Sequence, residues 1–111
     1  MEEKNLEITK YNKLVRDRIP DIIMKSGKRV TIEILDDKDY KKYLDEKLKE
    51  ELNEYYSTDN AEELADLVEI IYAILKYKNI DISEFEKIRI KKALERGGFD
   101  KRILLKEVIV D

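Results

Sequence analysis

The sequence predicts a mainly α-helical single domain spanning 1–111, with a small β element near 29–35 and 102–110. Three observations predict it. Two long stretches carry apolar residues at helical spacing. Helix-starting and helix-stopping residues bracket a third and a shorter one. Finally, alternating Val30, Ile32 and Ile34, and the run RILLKEVIV, read as strands separated by the helices.

Taken in order, residues 1–10 are polar and carry no periodicity. In YNKLVRDRIPDIIMKSGKR, Pro20 suits the first turn of a short helix and Gly27 its end. Asp36 and Asp37 cap a long helix over 38–56. Ser57, Thr58, Asp59 and Asn60 make a turn, where Asp59 and Glu62 form an acidic capping box for a second helix over 61–78. Residues 79–81 break it. Ser83 and Glu86 form a second capping box, opening a helix over 84–96 that Gly97 ends. Gly98 lets the chain turn sharply and sets Phe99 against the core.

Composition narrows the chemistry. The chain of 111 residues has no Cys and no His, so it has no thiolate nucleophile, no His-dependent triad and no Cys- or His-ligated zinc. Acid–base work falls to carboxylates, Lys, Tyr or activated water. With 23 basic and 26 acidic residues there is no overall positive field for a nucleic-acid polymer. No apolar run reaches transmembrane length, and MEEKNLEITK lacks the form of a signal peptide. A cytoplasmic protein with no membrane partner is therefore expected.

The informative residues are acids out of place. On the first long helix, Tyr40, Leu44, Leu48, Leu52 and Tyr55 form an apolar stripe, and at 100° per residue Glu51 projects onto it. Glu54 lies at its edge and Glu50 further round. The second long helix is apolar nearly all round. Glu62, Glu69 and Lys76, seven apart, make a polar strip that faces water. Glu63 instead projects among Ile70 and Ile74, and Asp66 beside Ile70 and Ala73. Each helix thus offers two carboxylates at i, i+3. Four such groups repel when ionised in a poorly solvated site, and a divalent cation removes that cost. Oxygen-only ligation selects Mg²⁺ or Mn²⁺ over zinc. The same acids also fit a plainer account, as surface charges and favourable groups at a helix N-terminus.

Glu50-Glu51-x-x-Glu54 followed by Glu63-x-x-Asp66 resembles the EExxE…ExxD signature of the MazG-like all-α nucleoside triphosphate pyrophosphohydrolases. YNKLVRDRIP and ERGGFDKRILL resemble a small house-cleaning subgroup related to phosphoribosyl-ATP pyrophosphohydrolase. The matching segments span residues 11 to about 110. In one respect the chain departs from the pattern: eight residues separate Glu54 from Glu63, fewer than is typical. The resemblance implies a MazG-like bundle and Mg²⁺-dependent cleavage between the α- and β-phosphates of a nucleotide, giving a nucleoside monophosphate and pyrophosphate. It implies metal binding by Glu51, Glu54, Glu63 and Asp66. Glu50 would ligate a second ion, support the ligands, or act as the base that orients water. Hydrolysis of phosphoribosyl-ATP is the alternative within this class. A non-catalytic helical module that binds nucleotide or protein is the alternative outside it.

A triphosphate needs fixed cations. Lys13, Arg16 and Arg18 are candidates near the start, with Asn12 and Asp17 to orient base, sugar or cations; Arg16 and Asp17 fit structural salt bridges equally. Lys47 lies one turn before Glu51. Arg89, Lys92 and Arg96 recur along the last helix, where a solvated face is the plainer reading and Arg96 the candidate for substrate. Tyr11 and Tyr56 are the candidates for base stacking. Because the second long helix is apolar on more sides than a short bundle covers, a homodimer is expected.

Overall fold

The computed structural model describes residues 6–111, and it is mainly α-helical. Its helices are α1 (Ile19–Lys25), α2 (Asp37–Thr58), α3 (Ala61–Tyr77) and α4 (Ile82–Arg96). α2 and α3 pack antiparallel as a hairpin, and this pair holds most of the contact between helices; α4 makes a much smaller contact with α3.

The caps explain where the hairpin begins and bends. The Asp36 carboxylate accepts from the Asp39 amide at 2.8 Å, as expected for an N-cap. The turn differs from the expectation by one residue. Asn60, rather than Asp59, caps α3, with its side-chain oxygen accepting from the Glu62 amide at 3.0 Å. Asp59 closes α2 in the left-handed region, φ 52°. Two cap-forming residues stand side by side here, and the tight reversal gives the extended one to α3 and the left-handed one to α2. The α4 box is also not formed: Asp81 is the N-cap, helix begins at Ile82, and no side chain caps it.

The hydrophobic core is small: Leu44, Ile70 and Leu75 are buried, together with Glu51. On α2 the inward row runs Leu44, Leu48, Glu51, Tyr55, a 4-3-4 spacing that keeps one side toward α3. Leu52, expected on the stripe, is 38% exposed at its edge. Tyr40 and Tyr77 meet edge to face at 6.0 Å and close the far end of the hairpin.

The β element is not found. Among the described residues there is no strand; 29–35 and 102–110 have no ladder partner. Ile32, Ile34 and the apolar residues of 103–110 are exposed. Alternation specifies a face, but a strand also needs a neighbour for its amides. Phe99 does not reach the core either, being 97% exposed. Residues 87–111 are all exposed. The chain measures 84 × 31 × 25 Å with a radius of gyration of 20.5 Å. A compact chain of this length has about 13 Å. No helix among the described residues is long and apolar enough to cross a membrane.

Candidate metal centre

The hairpin turn fixes how α2 faces α3. Glu51 enters from two turns before the end of α2, and Glu63 and Asp66 from the first two turns of α3. Among the described residues, these three make one group whose carboxylate oxygens lie within 4.8 Å of one another. Glu51 is 8% exposed, a buried acid in an otherwise apolar core. Glu63 and Asp66 are half-buried.

Electrostatics at this point are strained in the sense expected of crowded acids. Partial desolvation and the neighbouring Asp66 and Glu51 charges raise the Glu63 carboxyl above its ordinary range. Glu50, one residue before Glu51, is set differently. Burial pulls its carboxyl upward, but a hydrogen bond from Lys13 and the Lys47 charge outweigh this and hold it below the usual range. A carboxylate so held is a poor proton acceptor and a good anchor for cations.

The N-terminal segment supplies those cations across the hairpin. Lys13 Nζ donates to Glu50 Oε1 at 2.9 Å, and Arg16 Nη2 donates to Asp66 Oδ1 at 2.6 Å. Lys47 Nζ lies 3.4 Å from both Glu50 and Glu51. Lys13, Arg16 and Lys47 therefore all adjoin the acids. Glu54 is exposed and stands outside the three-acid group, within electrostatic reach of Lys13. Arg96 ends α4, exposed and not among the residues that line the adjoining groove. Arg89 is engaged with Glu86 on its own helix at 2.6 Å. Tyr11 and Tyr56 are both exposed, with Lys13 Nζ 5.7 Å from the Tyr11 ring centre.

A groove of about 1000 Å³ opens beside the acids, and Arg16, Lys47, Glu51 and Asp66 line it. Its other wall includes Tyr72 and Ser83. No motif or periodicity pointed to this wall. Residues 79–81 read only as a helix break, whereas Ile80 and Asp81 turn the chain back onto the groove. There the Ile80 amide donates to the Leu75 carbonyl at 2.9 Å.

No family model, no curated protein and no solved structure matches the chain. The arrangement of its own side chains is therefore what bears on function.

The three acids suit a hard divalent cation. Octahedral Mg²⁺, at about 2.1 Å from its ligands, spaces neighbouring oxygens by roughly 3 Å and opposite ones by roughly 4 Å. The three acids bring one oxygen each within 4.8 Å of one another, close to the larger of those spacings. The elevated Glu63 carboxyl supplies a reason for a cation, since like charges that raise one another's proton affinity also bind a metal favourably.

Proposed function

We propose that the protein is a Mg²⁺-dependent nucleotide pyrophosphohydrolase of the MazG-like kind, releasing pyrophosphate and a nucleoside monophosphate. The observation that carries this reading is the convergence of Glu51, Glu63 and Asp66 from two helices, with oxygens within 4.8 Å, at the edge of a groove. Its support from sequence is the EExxE…ExxD pattern. Mn²⁺ would serve in place of Mg²⁺.

Glu51, Glu63 and Asp66 would hold the ion, with Glu54 completing the set from the next turn of α2. When bound, Mg²⁺ supplies charge neutralisation for the phosphates and acidifies water. In the reaction, water oxygen bonds to the α-phosphorus, the water's proton passes to bulk solvent, and the bond from that phosphorus to the bridging oxygen breaks. The bond's electron pair leaves with pyrophosphate. Arg16 and Lys47, on the groove wall, balance charge on the phosphates. Glu50, held ionised between Lys13 and Lys47, positions those cations rather than taking the proton of water.

The experiment is a panel of canonical and damaged nucleoside triphosphates, with phosphoribosyl-ATP, scored separately for pyrophosphate and orthophosphate in the presence of Mg²⁺. Pyrophosphate is expected, and Glu51→Gln or Asp66→Asn should remove it while the helical circular dichroism persists. Orthophosphate alone would contradict the assigned bond.

One observation favours a second reading. Arg16 and Lys13 already pair with Asp66 and Glu50, which fits a non-catalytic module whose acids are neutralised by its own N-terminal segment. Calorimetric titration with Mg²⁺ separates the two, since only the enzyme reading requires saturable binding lost in Glu51→Gln.

A further inference from the structure

Residues 11–18 cross the hairpin without a helix of their own, and only Leu14 among them is half-buried. Two ion pairs tie this segment down: Lys13 Nζ meets Glu50 on α2 at 2.9 Å, and Arg16 Nη2 meets Asp66 on α3 at 2.6 Å. The two pairs are not alike. Glu50 stands outside the group of acids whose oxygens converge, whereas Asp66 belongs to it. Arg16 therefore holds a carboxylate that a bound cation would need, and it also lines the groove.

We infer, on the metal-dependent reading proposed above, that Arg16 works in two positions: it neutralises Asp66 while the acids are metal-free, and it turns to a phosphate of the nucleotide once they hold Mg²⁺. Three observations support the exchange. The first is weakness. The side chains of Arg16 and Asp66 are 56% and 35% exposed, and an ion pair in contact with water costs little to break.

The second is charge. One guanidinium leaves the acids under-neutralised, since Asp66 and Glu51 still raise the Glu63 carboxyl with Arg16 in place. Two cations on one carboxylate repel each other, and Arg16 is held by a single acid. The third is chemistry. A guanidinium offers phosphate the same forked donors that it offers a carboxylate. Arg16 and Lys47 line the same groove, so a short turn of a long side chain keeps Arg16 within it. Lys13 pairs with an acid outside the converging group and keeps the segment across the hairpin while Arg16 moves. Metal then precedes phosphate, because the metal-free groove offers an anion three acids and an engaged Arg16.

The test is calorimetric titration of the full chain, first with Mg²⁺ alone and then with pyrophosphate in saturating Mg²⁺, with helicity followed by circular dichroism. Arg16→Gln should bind Mg²⁺ roughly threefold more tightly than the wild type, the scale of one exposed pair. The same variant should bind pyrophosphate roughly tenfold more weakly, having lost a charged hydrogen bond. Arg16→Lys keeps the charge and should restore most of the wild-type Mg²⁺ affinity. Opposite shifts are the signature, since a residue that merely supports Asp66 or orders the segment would weaken both when removed. An Arg16→Gln that binds Mg²⁺ no tighter than the wild type, or pyrophosphate no weaker, overturns the inference and leaves the metal-dependent reading standing. So does a wild type that binds Mg²⁺ but not pyrophosphate. Mg²⁺ bound by neither protein overturns both. Should Arg16→Gln lose helicity, nitrogen NMR of the wild-type arginine side chains decides. Rotation of the Arg16 guanidinium, slowed by Asp66, should quicken as Mg²⁺ is added; unchanged rotation overturns the exchange.

Discussion

At the residue scale the molecule turns on Glu51. An acid at 8% exposure in so small a core gives up hydration that a Leu would not miss. Glu51→Leu should therefore leave the metal-free protein at least as stable in urea denaturation, since Lys47 keeps Glu50 as a partner, while abolishing Mg²⁺ binding in calorimetry. A loss of stability without metal would instead give Glu51 a structural role. Glu63 makes a second prediction. Its carboxyl is raised in the fold, so the folded chain holds that proton more tightly than the unfolded one does. The resulting stability is present below the unfolded value of 4.5 and is lost as pH rises through the folded one. Glu50 runs the other way, its contribution present above that value and lost as pH falls through its lowered one. Carboxyl carbon NMR titration should place Glu63 above Glu50; the reverse order would remove the crowding on which the metal reading draws. Glu51, Glu63 and Asp66 were legible in the sequence because a charge on an apolar stripe violates the helix's own pattern. The pairing of Lys13 and Arg16 with particular acids was not, because it depends on a segment without periodicity crossing from another part of the chain.

At the element scale, helix existence was legible and helix junctions were not. Apolar spacing over 22 and 17 residues defines α2 and α3 beyond reasonable alternatives. The cap between them depends on which of two adjacent polar residues takes a left-handed backbone, and single-residue preferences do not decide that. The structure makes the choice testable. Asn60→Ala should cost about 1 kcal/mol by losing the bond to the Glu62 amide, read as a lower midpoint of thermal unfolding. Asp59→Ala should have no such capping cost, although its φ of 52° adds strain of its own. The strands failed for a different reason. Alternation at 29–35 and 102–110 is real, but pairing is a property of two segments, and among the described residues none pairs with either.

At the scale of the whole molecule, length and charge pointed to the domain class, while shape lay beyond them. A chain 84 Å long with three buried hydrophobic side chains among its described residues is far from the compact body that its composition allows. Self-association would recover part of the difference. Thermal unfolding should then depend on protein concentration, the midpoint rising as the chain is concentrated. A midpoint independent of concentration over two decades would mean that one chain is stable alone.

The two-residue link between α2 and α3 has a kinetic corollary. Partners so close along the chain meet early, because little loop entropy is lost in joining them. Glu51 and the acids of α3 are thus brought face to face while the rest of the polypeptide is still unstructured, and their mutual repulsion sits on the route to the native state. Mg²⁺ should accordingly speed refolding from urea in stopped-flow measurements, and not merely slow unfolding.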